Sequence, residues 1–189
     1  VSFAPLPETA AWRHHTARAG FEVARFRPQR VEGCTTAVEG GHAWIVDYAI
    51  DLDAGWVTRR AVVTSRSAAG VRATLLESDG AGRWRVDGTP APHLDGCLDV
   101  DLESSAMTNT FPVHRLGSGA GGGGGGGSSA PAAFVRALDL GVERLDQRYA
   151  RAGERSYDYA APVFGVECRL EFDACGLVLA YPGLATREA

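Results

Sequence analysis

The 189-residue sequence contains no lysine; all 19 of its basic residues are arginine. With 23 acidic residues the formal charge is −4, and the arginines are scattered along the chain rather than gathered in one stretch. The clustered basic face that a nucleic-acid partner requires is missing, so no nucleic-acid partner is expected. No run approaches the ~18–20 uninterrupted apolar residues of a membrane-spanning helix, and the N-terminal stretch is not a basic segment followed by an apolar one. A cytoplasmic location without a transmembrane segment is the expectation. The absence of lysine itself fits codon usage in a GC-rich genome, as does the abundance of alanine, glycine and valine.

Cysteine is scarce as well. Cys34, Cys97, Cys168 and Cys175 form no CxxC pair and no spacing that a zinc site would use, which predicts reduced thiols rather than a disulfide framework. Of the histidines, only His14 and His15 are adjacent, and neighbouring side chains diverge in a strand. No metal and no other cofactor is expected. Convincing helical periodicity is missing before residue 117, apart from a short turn around AWRHHTARAG.

What is present is strand patterning. In HAWIVDYAIDL, His42, Trp44, Val46, Tyr48, Ile50 and Leu52 share one face, and Asp47 and Asp51 lie on the other. DAG follows, then WVTRRAVVTS, which predicts an antiparallel hairpin turning at Asp53 to Gly55. GVRATLLES and RWRVDG flank DGAG as a second hairpin, and VFGVECRLEF and LVLAY flank Asp173 to Gly176 as a third. IDLDAGWV and LEFDACGLV also echo one another. Over 134–152 the apolar residues recur at three or four, as in a helix, yet Gly141 interrupts them; strand is favoured over 134–140. Between the halves lies GSGAGGGGGGGSSAP, read as a flexible glycine-serine loop over 117–131.

The segment GCLDVDLESSAMTNTFPVHRL, residues 96–116, carries the densest chemistry. A period of two puts Cys97, Asp99 and Asp101 on one face of a strand, the two carboxylates about 7 Å apart. Three readings stay open: an acid–base or metal-binding pair, a solvated face, or partners for Arg59, Arg60 or Arg115 across neighbouring strands. Thr108, Asn109 and Thr110 with Pro112 predict a tightly specified corner between two strands. Trp44, Tyr48, Trp56 and Trp84 serve either as core or as the wall of an apolar cavity.

With its GCLDVDL…TNTFPVHRL motif, the chain resembles the bacterial glycolipid-binding family, a domain of unknown function. That family's pattern is close to GC-x-DVDL, a Thr-Pro, TNTLP and Arg-Arg-Leu; here Ser105-Ala106 replaces the Thr-Pro, Phe111 a leucine and His114 an arginine. Trp44 to Tyr48, Trp56 with Arg59 and Arg60, Asp79 to Trp84, Gln147, Tyr149 and LVLAYPGL extend the resemblance over most of the chain. It implies a mainly β fold, an antiparallel sheet curled into an open barrel or spiral β-roll with little helix, in one domain over residues 1–189. The implied function is a non-catalytic binding or carrier protein for a lipid-like or glycolipid-like amphipathic ligand. In that reading Trp44, Tyr48 and Trp56 form an apolar wall. Arg59, Arg60 and Arg115 orient a polar head, balanced by Asp99 and Asp101, and Thr108, Asn109 and Thr110 hold the corner. The alternative is an enzyme acting on a small conjugate with Asp99 or Asp101 as general base.

Overall fold

A computed structural model of the chain describes residues 3–16, 18–118 and 127–189. Six strands form a meander of hairpins: β1 (Thr9–His14), β2 (Arg18–Arg27), β3 (Arg30–Glu39), β4 (His42–Leu52), β5 (Thr58–Ser67) and β6 (Gly70–Ser78). Short β7 (Trp84–Val86) and β8 (Thr89–Pro90) finish that run. β9 (Asp99–Leu102) then leaves the sheet, followed by helix α1 (Thr110–Ser118), β10 (Ser128–Ser129), β11 (Ala132–Val135) and β12 (Val142–Leu145). A second meander closes the chain: β13 (Arg148–Arg151), β14 (Ser156–Ala161), β15 (Val166–Phe172), β16 (Val178–Tyr181) and β17 (Ala185–Arg187).

The two meanders are one antiparallel sheet of fourteen strands, joined where β17 pairs with β1, Trp12 opposite Arg187. The sheet is mainly β as the sequence predicts, and it is open: β10 and β8 are its two edges, and it does not close into a barrel. A separate three-stranded sheet, β12-β11-β9, packs against it.

The three predicted hairpins form, and the echo between them has a shared physical basis. Asp53 Oδ1 accepts from the backbone N–H of Gly55 and Val57, Asp79 Oδ1 from Ala81 and Arg83, and Asp173 Oδ1 from Cys175 and Leu177. Each turn needs a left-handed residue at its fourth position, and two of them place glycine there, Gly82 at φ 91° and Gly176 at φ 77°. The third has Trp56 at φ 64°, a costly conformation for a bulky side chain. It is held by a ring stack on His114, centroids 3.7 Å apart.

Two sequence expectations change, and the strand favoured over 134–140 holds only as far as Val135. In AWRHHTARAG, residues 11–14 and 18–20 belong to the paired strands β1 and β2, with Trp12 opposite Glu22 and His14 opposite Gly20. The helix-like spacing after residue 134 belongs to the β11–β12 hairpin, whose turn is fixed by the Arg136–Asp139 ion pair and by Asp139 Oδ1 accepting from Gly141 N–H. Residues 107–118 form a 3-10 turn and helix α1 instead of a corner between strands. The reason lies in pairing direction: β9 and β11 run parallel, and parallel neighbours need a long crossover, usually a helix. Pro112 is tolerated because it falls in the first turn, where its missing N–H leaves no intrahelical bond unmade. The middle of the predicted glycine-serine loop, 119–126, lies outside the described residues.

The inner face of β3 to β6 does not enclose a large hollow. Trp44, Val46, Tyr48, Ile50 and Leu76 are buried against Cys97, Val100, Leu102, Met107 and Phe111. A buried irregular segment must still satisfy its backbone polar groups, and inward-facing polar side chains do so. Trp84 Nε1 donates to the Cys97 carbonyl, Thr35 Oγ1 to that of Ser104 and Arg18 to that of Glu103, while Thr58 Oγ1 accepts from Val100 N–H.

Tyr48 shows how tightly this is built. It lies opposite Gly33, and its ring crosses that glycine so that its hydroxyl reaches Glu22 two strands away, at 2.7 Å. A Cβ on Gly33 would sit 2.2 Å from the Tyr48 ring and hydroxyl. Gly33→Ala is expected to cost about 1–3 kcal/mol by overpacking, lowering Tm by roughly 3–10 °C in calorimetry; an unchanged Tm would contradict the packing described.

Candidate functional site

Where the two meanders meet above β9, a cavity of about 190 Å³ opens. Its apolar wall is Leu102, Phe134, Leu145, Phe164, Val166 and Leu184, contributed by both sheets and by the 3-10 turn Pro162–Phe164. Its polar wall is Asp101, Glu103, Ser105, Asn109, Tyr159, Tyr181 and Arg18, the Glu103 carboxylate being turned to the backbone N–H of Ala137. At the rim the Phe134 and Phe164 rings are 5.1 Å apart, and Phe164 and its neighbour Val163 are 51% and 72% exposed.

Asp101 is fully enclosed by the fold apart from its face on this cavity. One carboxylate oxygen accepts from Thr108 Oγ1 at 2.8 Å. Burial pushes the Asp101 carboxyl up to about 6, against the opposing effect of the Thr108 bond and with help from the neighbouring charge of Asp99. Asn109 Oδ1 accepts from Tyr149 OH at 2.7 Å, and Tyr159 OH donates to Gln147 Oε1 at 3.0 Å. Burial holds Tyr149, Tyr159 and Tyr181 well above the usual phenol range, so all three remain neutral donors. The arrangement can accept from a ligand's hydroxyls at Asp101 and donate to its oxygens from Tyr181, the Tyr149 and Tyr159 protons being taken by Asn109 and Gln147, while presenting an apolar exit.

Asp99 lies two residues away and is completely buried, paired with Arg115 of α1. Desolvation raises the Asp99 pKa even so, the arginine only partly offsetting it. Of the three readings of the aspartates, neither carboxylate lies on a solvated face. Asp99 has the arginine partner from a helix rather than from a neighbouring strand, and Asp101 has a threonine.

The predicted site residues therefore separate. Asp101 and Asn109 line the cavity, Thr108 holds Asp101, and Asp99 and Arg115 form the pair beneath. Thr110 is buried in the first turn of α1, its hydroxyl without a partner. Trp44 and Tyr48 belong to the packed interior. Arg59 and Arg60 are at the surface, 3.7 Å from Asp53 and 4.0 Å from Asp51. Trp56 lines a different groove of about 530 Å³ with Leu6, Phe26, Val31 and Leu52.

Arg18, Tyr159 and Phe164 are cavity residues that sequence reasoning missed. For Arg18 a signal exists: in RAGFEVARFR the inward phase is set by Ala24 and Phe26, and counting back by twos places Glu22 and Arg18 on the same buried face. A charge in an apolar phase is the informative anomaly. Glu22 is wholly buried and accepts from Tyr48 OH, Ser105 Oγ, Ala106 N–H and Met107 N–H, clamping the loop that carries Ser105 and Asn109. Among the described residues no three His, Cys, Asp or Glu side chains converge as a metal site, and no helix is long and apolar enough to cross a membrane.

A family model described as “Putative glycolipid-binding” matches residues 9–187. The fold is also similar to the crystal structure of a DUF1089 family protein from Pseudomonas aeruginosa, with a TM-score of 0.81 and 33% sequence identity, covering 100% of this chain and 98% of that one. No match was found among curated proteins.

Proposed function

Because the chain belongs to the family described as “Putative glycolipid-binding”, we propose that it is a non-catalytic binding protein for an amphipathic ligand, whose polar head enters the cavity between Asp101, Asn109, Tyr159 and Tyr181. The observation that carries this reading is the split lining: hydrogen-bonding groups at one end, aromatic and aliphatic side chains at the other, and exposed Phe164 and Val163 where a tail would leave. At about 190 Å³ the space is below the ~300–1,000 Å³ of pockets that swallow a drug-sized ligand whole. It suits a head group, with the apolar remainder lying across the rim. Trp44 and Tyr48 support this seat from the core, while Arg59, Arg60 and Trp56 lie outside it and carry no part in it. Native mass spectrometry of protein purified from its source is expected to show co-purifying acyl-bearing adducts that a Leu184→Trp variant, with the cavity filled, lacks. Identical apo spectra for both proteins, with no thermal shift from a lipid panel, would contradict the proposal.

A second reading, an enzyme acting on a small conjugate, is favoured by one observation: a buried carboxyl at about 6 lining a cavity suits a general acid or base. Turnover of a panel of nitrophenyl glycosides and esters, lost in Asp101→Asn, would establish it.

A further inference from the structure

The polar wall holds one group that the fold leaves unsatisfied. Arg18 is only 7% exposed, and its guanidinium donates one hydrogen bond, from Nη1 to the Glu103 carbonyl at 2.8 Å. Its Nε is buried without any partner. No carboxylate among the described residues lies within ion-pairing distance of it: the Glu103 side chain is turned to Ala137 N–H, and Glu22, on the same strand face, is committed to the 105–107 loop. Trp44 packs at 5.6 Å from the guanidinium, a cation–π contact that offsets part of the desolvation cost but supplies no counter-ion. The adjacent His14, both ring nitrogens without partners, is pushed down to about 4 by burial and by the Arg18 charge, so Arg18 alone supplies a cation here.

A buried charge is ordinarily paired, because desolvation costs several kcal/mol per ion. Arginine also presents several donors in a planar fork matched to carboxylate and phosphate. Nearly all of that fork is unused, and the side chain lines the ligand cavity. Taking the cavity to be the ligand seat, as proposed above, we infer that the ligand's head group carries an oxyanion, a phosphate or carboxylate, which Arg18 pairs. Asp101, Asn109 and the tyrosines then read the neutral hydroxyl-bearing part of the same head.

The test uses calorimetric titration with three probes: inorganic phosphate, dihexanoyl phosphatidic acid below its micelle concentration, and octyl glucoside as the uncharged amphiphile. Phosphatidic acid is expected to bind the wild type and to weaken at least tenfold in Arg18→Gln, while octyl glucoside binds both proteins alike. Inorganic phosphate binding with the same dependence on Arg18 and as tightly as the lipid would support the anion seat and overturn the amphipathic ligand. Octyl glucoside binding as tightly as phosphatidic acid would overturn the anion seat and leave the amphipathic ligand standing. If no probe binds, both readings fall. Independently of any probe, Arg18→Met keeps the side-chain stem and removes an uncompensated charge together with its bond to the Glu103 carbonyl, so the two effects offset and the ligand-free variant is expected to melt no more than about 5 °C below the wild type. A fall of more than about 5 °C, or failure to fold, would mean that the fold already satisfies this charge, and would overturn the inference.

Discussion

Glu22→Ala is expected to destabilise the protein by about 3–5 kcal/mol in urea unfolding, whereas Glu22→Gln is expected to cost no more than about 1.5 kcal/mol. Alanine strands four donors, the hydroxyls of Tyr48 and Ser105 and the N–H groups of Ala106 and Met107, in a place without solvent. Each unsatisfied buried donor costs roughly 1–3 kcal/mol, less whatever local relaxation recovers. Glutamine behaves differently because of how the bonds divide. The two backbone N–H groups share one carboxylate oxygen and the two hydroxyls share the other. A glutamine carbonyl can serve the backbone side while its NH₂ faces hydroxyls that rotate to accept. Burial also raises the Glu22 pKa, so a neutral isostere gives up little charge-dependent stabilisation. Equal losses for alanine and glutamine would mean that the negative charge itself holds the loop.

Asp101→Asn is expected to stabilise the protein at pH 8 by up to about 3 kcal/mol, and to give no gain at pH 4. The Asp101 carboxyl lies at about 6 in the folded protein against an ordinary value of 3.8, and each unit corresponds to about 1.4 kcal/mol. A raised carboxyl pKa means that the folded state holds the proton more tightly than the unfolded chain. The advantage of the protonated form is complete below 3.8 and is lost as pH rises through about 6, so wild type carries the whole penalty at pH 8. Asparagine does not titrate and can still accept from Thr108. His14 and His114, both pushed down to about 4 by burial, weaken the fold in the opposite sense as pH falls below 6.5. The difference between variant and wild type isolates Asp101, since the histidine contribution is common to both. A destabilised variant at pH 8 would show that Asp101 is a structural anchor rather than a group kept charged for a ligand.

Sheet structure was legible in the sequence wherever one face is buried and the other wet, as in HAWIVDYAIDL, because a period of two then writes the register directly. The aspartate turns were equally readable, since Asp53 and Asp173 act through neighbours in the chain. The β9–α1–β11 crossover was not. Its helix is buried on nearly every side, so Phe111, Val113 and His114 carry no amphipathic stripe, and parallel pairing leaves no local mark. The site divided the same way. Asp101 and Asn109 stand in a motif dense with polar residues, whereas Arg18, Tyr159 and Phe164 come from separate strands and turns that only the sheet's curl brings together.

A crystal structure of the protein grown with octyl glucoside bears most directly on the proposed seat. Sugar density is expected within hydrogen-bonding distance of Asp101 and Asn109, with the octyl chain running over Phe164 towards Val163. Density confined to the groove beside Trp56 and Phe26, with the cavity above Asp101 unchanged, would contradict it.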